Sequence, residues 1–123
     1  MAIALQNYEP ALSNGATLFE SGTAAIVSGS CTINTRQGII TTASLTTGTA
    51  AATTFDLINN KIGADSQIIV TIGNGTNTGG LPTAGFVTTS VAGSCTIRVV
   101  NASSASDGTA LNGTLKINFI VLA

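Results

Sequence analysis

ALNGTLKINFIVLA, residues 110–123, is the stretch that decides the fold. From Thr114 onward it alternates: Leu115, Ile117, Phe119 and Val121 fall on one side, Thr114, Lys116 and Asn118 on the other. Period-two alternation marks a β-strand with one buried face. Asn112-Gly113 ahead of it is a tight-turn signal, because glycine adopts φ > 0 at low steric cost. The run predicts a long, central, C-terminal strand against which the earlier strands register. Ile120 and Leu122 place apolar groups late on its polar side. Something must cover them, either a partner copy or the chain's own N-terminal arm.

Working back from this strand, short β-like runs recur at roughly 8–12 residue spacing, separated by Gly, Asn, Ser and Thr. The expected strands are 24–27, 31–36, 39–46, 53–58, 67–73, 85–91 and 94–101. Their expected inward sets are Ile39, Ala43 and Leu45; Phe55 and Leu57; Ile68, Val70 and Ile72; and Cys95, Ile97 and Val99. Residues 74–82, NGTNTGGLP, read as a loop, as do 102–108. The window 57–62 is the one place for a turn of helix, since Thr, Val, Ile and Gly dominate elsewhere. The fold class is therefore all-β: an antiparallel two-sheet sandwich of about eight strands with an irregular N-terminal arm. The long connection at 74–82 and the lack of Trp favour a jelly-roll-like arrangement over an immunoglobulin-like one. The domain reading is an arm at 1–27 and a β-sandwich at 28–123.

Of the 123 residues only 7% are charged, against roughly 25% in an ordinary soluble domain. A net charge of −1 gives little repulsion between copies, so the composition points to a subunit of an oligomer or lattice. The four basic residues, Arg36, Lys61, Arg98 and Lys116, are scattered, which excludes an electrostatic footprint for nucleic acid. No apolar run has the length of a membrane span. The first ten residues, MAIALQNYEP, lack the basic and apolar regions of a secretory signal. The expectation is a chain that starts at its native Met1 and is made in a cytoplasm.

In the arm, Ile3, Leu5, Tyr8, Pro10, Leu12, Leu18 and Phe19 are apolar or bulky without a steady period. Two readings stand: an irregular leader lying over the domain, or an extended arm docking on a neighbouring subunit or scaffold. Covering its apolar groups would yield about 25 cal/mol per Å². Ile3, Leu5, Tyr8 and Leu12, with Ile120 and Leu122, are the candidate partner-contact residues.

Catalytic chemistry finds few materials. With no histidine, no Ser-His-Asp or Cys-His pair can be built. Cys31 and Cys95 occupy matching settings, Ser-Gly-Ser-Cys-Thr-Ile and Ala-Gly-Ser-Cys-Thr-Ile. They read as reduced, buried strand residues, with a bridge between neighbouring strands as the alternative. Two cysteines and five scattered carboxylates make no metal site by spacing. Asn74-Gly-Thr76, Asn101-Ala-Ser103 and Asn112-Gly-Thr114 match the glycosylation pattern but read as turn chemistry. No enzyme, no cofactor and no metal are expected.

Three segments carry a resemblance: GIITTASLTTGTAAATTFDLINNKI, SQIIVTIGNGTNTGGLP and AGSCTIRVVNASSASDGTALNGTLKINFIV. In this order they resemble small β-sandwich modules of tailed bacteriophage virions, over roughly residues 28–122. Those modules serve as capsid decoration (cement) proteins, head fibres and tail-fibre tips, commonly trimeric, and the resemblance carries over no catalytic residue. It implies a homotrimer whose partner is the major capsid protein. Binding the outside of the phage head, it would stabilise the shell by bridging capsid subunits, with neither nucleic acid nor membrane as partner. The expected location is the outer capsid surface of the virion, after synthesis in the host cytoplasm. The alternative is a head-fibre or tail-fibre tip that binds a receptor. Only 27 residues precede the sandwich, and the lack of a shaft favours decoration.

Overall fold

The computed structural model describes residues 21–122, less 84, 105 and 107, and these form strands and loops with no helix. The strands are β1 (Ser21–Ala25), β2 (Ser30–Thr32), β3 (Gln37–Thr41), β4 (Ala52–Ile58), β5 (Gln67–Asn74), β6 (Phe86–Val91), β7 (Ser94–Val100) and β8 (Leu115–Leu122). They make two four-stranded sheets, ordered β1-β3-β8-β5 and β2-β4-β7-β6. This is a two-sheet β-sandwich.

The chain alternates between the layers from β1 to β6, so β1, β3 and β5 run one way in the first sheet, and β2, β4 and β6 one way in the second. After the β6–β7 hairpin, β7 inserts antiparallel between β4 and β6, and β8 between β3 and β5. The last strand is thus central, and its register partners on the two sides lie 41 or more residues upstream. The β1–β3 and β2–β4 pairs are parallel, so both sheets are mixed. A jelly roll, with antiparallel neighbours throughout, has a different order. The parallel pairs arise because each is joined through a strand of the opposite sheet.

The core lies between the sheets. Leu115, Ile117, Phe119 and Val121 of β8 are buried and meet Ile40 of β3 and, from the second sheet, Phe55, Leu57, Cys95, Ile97 and Val99. The expected inward sets hold for β4, β5, β7 and β8, although Ile68, Val70 and Ile72 are only half-buried on the edge strand β5.

Four local expectations need correction. In β3 the inward residue is Ile40, opposite Ile117, and Thr42 follows it inward, while Ile39 and Ala43 face solvent. The pairing with β8 sets this phase. Thr42 supports it by accepting the Leu115 N–H on Oγ1 at 2.9 Å, which lets a hydroxyl occupy a core position. Second, β2 ends at Thr32, because side chains take over the bonding: Asn59 Nδ2 donates to Thr35 O at 2.6 Å, and Asn60 N–H to Asn34 Oδ1 at 2.9 Å. Third, 57–62 holds no helix. Ile62 N–H closes a turn onto Asn59 O at 3.0 Å. Fourth, Gly113 is not needed for positive φ; a Cβ there would come within 2.6 Å of Thr76 O and 2.7 Å of Asn77 N, so close backbone approach demands the glycine. The first sheet also begins at Ser21, inside the 1–27 span read as arm.

Candidate interaction surface

Because β8 buries its odd-numbered residues, its even-numbered ones decorate the outer face of the first sheet. Register aligns them in rows. Ser21, Gln37, Ile120 and Ile69 form one row across all four strands, and Thr23, Ile39, Asn118 and Thr71 the next. Leu122 sits beyond the first row, opposite Gln67. The apolar members cluster: Ile69 is 52% exposed, Leu122 40% and Ile39 37%, with Ile120 half-buried among them. A shallow groove of about 260 Å³ runs from Ser21 past Gln37, Ile39 and Asn118 to Ile120. It continues into a second of about 530 Å³ bordered by Thr23, Ile39, Thr41 and Lys116. Lys116, whose Nζ donates to Thr41 Oγ1 at 2.9 Å, is the only ionisable group on this face among the described residues.

The outer face of the second sheet differs. Its centre carries Thr54, Asp56, Thr96 and Arg98, with Thr96 Oγ1 donating to Asp56 Oδ1 at 2.7 Å. Its exposed apolar groups, Ile58 and Val91, lie at the hairpin end. The sandwich thus has one polar outer face and one that carries an apolar patch at Ile39, Ile69, Ile120 and Leu122.

The sheet edges differ as well. β2 is three residues long; β6 carries a bulge between Val87 and Thr89, and Pro82 bridges Asn101 beyond it. Short strands, bulges and prolines are the usual protections of an edge. β5 has eight residues, QIIVTIGN, with no charge, no proline and no bulge in its pairing.

At one end of the sandwich, asparagines hold the loops. Asn101 is fully buried and makes four hydrogen bonds: Oδ1 accepts from Leu81 N–H (2.9 Å) and Ser103 N–H (3.1 Å), and Nδ2 donates to Thr47 O (3.1 Å) and Thr109 O (2.9 Å). Asn112 Oδ1 accepts from the N–H groups of Thr78 and Gly79, and Asn112 N–H donates to Asn77 Oδ1. Asn74 Nδ2 donates to Asn77 O. The three sequon-like asparagines therefore all serve turn and loop bonding.

Cys31 and Cys95 flank Leu57 in one row of the second sheet, on β2 and β7. Two strand spacings, on the order of 10 Å, separate their backbones, beyond disulfide reach. Both thiols are free and buried. Burial pushes Cys31 up to about 11. Cys95 rises to about 11 by burial first, then by the Asp56 carboxylate and Cys31. Protonated thiols of this kind are poor nucleophiles. No group of three or more metal-ligating side chains occurs among the described residues.

Of the residues singled out from sequence, Ile120 and Leu122 lie together on the apolar outer face. Ile3, Leu5, Tyr8 and Leu12 lie outside the described residues. Ile39 and Ile69 complete the patch. Ile69 was legible as the out-of-phase member of Ile68, Val70 and Ile72; Ile39 was not, because the phase of β3 is set by its partner. The chain has no matching family model, no matching curated relative and no matching solved structure.

Proposed function

We propose that the protein is a structural virion component, a capsid decoration (cement) protein that binds the outside of a phage head and bridges capsid subunits. The observation that carries this reading is the low-charge apolar outer face at Ile39, Ile69, Ile120 and Leu122, beside an unprotected β5 edge. Both features suit a subunit covered by neighbours, and the 7% charged content leaves few groups to keep copies apart. In this reading the work is mechanical: many copies sum their contacts against the pressure of packed DNA. Residues 2–12, especially Ile3, Leu5 and Tyr8, reach the shell or a neighbouring copy, and the copies form a homotrimer.

The test is binding of the purified protein to expanded heads, with residues 2–12 present or deleted. Folded protein that loses head binding on deletion supports the reading; unchanged binding sinks the role of the arm, and no binding by the intact protein sinks decoration. A second reading, a head-fibre or tail-fibre tip, draws on the asparagine-held loops at one end, which would present a fixed surface to a receptor. Copy number separates the two: hundreds per particle for decoration, a few for a tip.

A further inference from the structure

We infer that β5 is a self-pairing edge: two copies join antiparallel through it, about a two-fold axis at Val70, and their first sheets become one continuous sheet. The contact is additional to any three-fold one and stands whether or not the protein decorates a shell.

Hydrogen-bond phase comes first. Gly75 N–H donates to Thr114 O, while Thr42 N–H donates to Leu115 O and Val121 N–H to Arg36 O. Bonded pairs alternate along an antiparallel ladder, so the even-numbered residues of β8 bond to β5 and the odd-numbered ones to β3. By the same register Gln67, Ile69, Thr71 and Gly73 are committed to β8. Ile68, Val70 and Ile72 then direct their N–H and C=O groups to the open edge. Among the described residues neither flanking loop covers that edge. After Asn74 the chain turns across β8, where Gly75, Thr76 and Asn77 all donate to Thr114 O. Before Gln67 it comes up from the second sheet, with Ser90 Oγ donating to Gly63 O and Gly93 N–H to Ile62 O.

Register and occupant follow. A two-fold pair brings edge-facing groups together, and keeps like faces of the sheet in line, only when its axis passes through a residue. An axis at Val70 sets Ile68 against Ile72 of the second copy and Val70 against itself, each pair exchanging both N–H···O bonds. It also covers the three side chains that this edge leaves half-buried. An axis at Ile69 engages only Ile68 and Val70, and one at Thr71 sets Ile68 against Asn74, whose amide already donates to Asn77 O. A second copy fits because β5 carries no charge to repel its own kind. Pairing β5 with the five-residue β1 of a neighbour would leave edges open to run into fibres, whereas pairing it with itself closes the edge. About 24 Å of strand over two layers about 10 Å apart, with side-chain margins, gives roughly 400 Å² per copy, half the usual 800 Å². The pair is therefore weak in dilute solution and fills where copies are concentrated. The outer face stays open, and the axis carries the patches of both copies onto one sheet.

The test mixes Ile69→Cys with Thr71→Cys chains under mild oxidation at about 500 µM, a concentration suited to a weak pair. Both sites are exposed, and the native thiols are buried. Across the axis residue 69 faces residue 71 of the other copy as a non-hydrogen-bonded pair, with Cα atoms about 4.5 Å apart, inside disulfide reach. Each lies more than about 7 Å from its own counterpart. The mixed disulfide, identified by intact mass, should exceed either self-linked dimer by about tenfold or more. A statistical mixture, a predominant self-linked dimer or no dimer overturns the inference. In the wild-type chain, exchange of the Ile68, Val70 and Ile72 amides should slow severalfold between about 20 µM and about 1 mM, and that of Ile69 and Thr71 much less. No concentration dependence at those three amides overturns it equally. Neither readout involves capsids, so failure here is distinguishable from failure of the decoration reading.

Discussion

Phe119 lies over Gly38, its register partner across β3 and β8, and its ring occupies the space a side chain at 38 would need. A Cβ there would fall 2.9 Å from Phe119 Cε1 and 2.6 Å from the carbonyl oxygen of Gly22. The ring can shift only by disturbing the core, and the carbonyl belongs to the β1 backbone. Gly38→Ala should therefore cost about 2–4 kcal/mol, as overpacking does in a filled core. Adding Phe119→Leu should recover only the part owed to the ring. Urea unfolding of the single and double variants measures both terms, and a single-variant loss below about 1 kcal/mol would contradict this packing.

Asn101 joins four loop positions through one buried amide. Asn101→Ala removes two acceptor and two donor bonds and leaves Thr47 O and Thr109 O without that donor. At roughly 1 kcal/mol per bond, with a further penalty for buried groups left unpaired, the expected loss is about 3–5 kcal/mol. Hydrogen exchange should rise first at the Leu81 and Ser103 amides. Equal protection in variant and wild type would show that the loops are held by other means.

The contrast between these two sites shows what the sequence made legible. The alternation in β8 and β7 is strict, and their faces follow from period alone, because these central strands are buried on one side along their whole length. The phase of β3 is not legible in the sequence, because Ile39-Ile40 offers an apolar residue to either face and only pairing with Ile117 chooses. Parallel pairing at β1 and β2 was equally hidden, since it depends on which layer the chain visits between strands. The outward Ile120 and Leu122 were visible as breaks in a pattern; the row joining Ser21, Gln37, Ile120 and Ile69 exists only through register across positions 21 to 120.

The two thiols make alkaline stability a measurable consequence. Burial pushes both folded thiols up to about 11, above the ordinary cysteine value of 9.0. Between those values the unfolded chain gives up its thiol protons while the folded chain keeps them, so stability must fall as pH rises. Below pH 9 the contribution is fully present; by pH 11 it is largely gone, by on the order of 1–2 kcal/mol per thiol. Cys31→Ala/Cys95→Ala should flatten the decline between pH 9 and 11, a comparison made by denaturant titration at each pH. An equally steep decline in the variant would assign the effect to other groups.

Ala50 is exposed and held at φ +55°, in the turn that Ala51 N–H closes onto Gly48 O at 3.2 Å. A side chain in the left-handed region costs about 1–2 kcal/mol, which glycine avoids. Part of that gain is lost to the greater freedom of glycine in the unfolded chain. Ala50→Gly should still stabilise by about 0.5–1 kcal/mol and raise the midpoint of thermal unfolding by a few degrees. A lower midpoint would mean that the turn does not strain the residue.

β5 is the edge at which assembly should be most sensitive to charge. Its inward Ile68, Val70 and Ile72 are only half-buried, and Ile69 and Thr71 are exposed on the other side. An added strand would cover both faces while pairing the free backbone edge. Thr71→Lys puts an ammonium group at mid-strand, on the solvent side, without touching the core. Lysine is a residue that natural edges use to refuse another strand. Stability should change by less than about 1 kcal/mol, while self-association weakens by about tenfold or more. Sedimentation of wild type and variant over the same concentration range reads this directly. If both associate equally, the contacts between copies lie elsewhere on the sandwich.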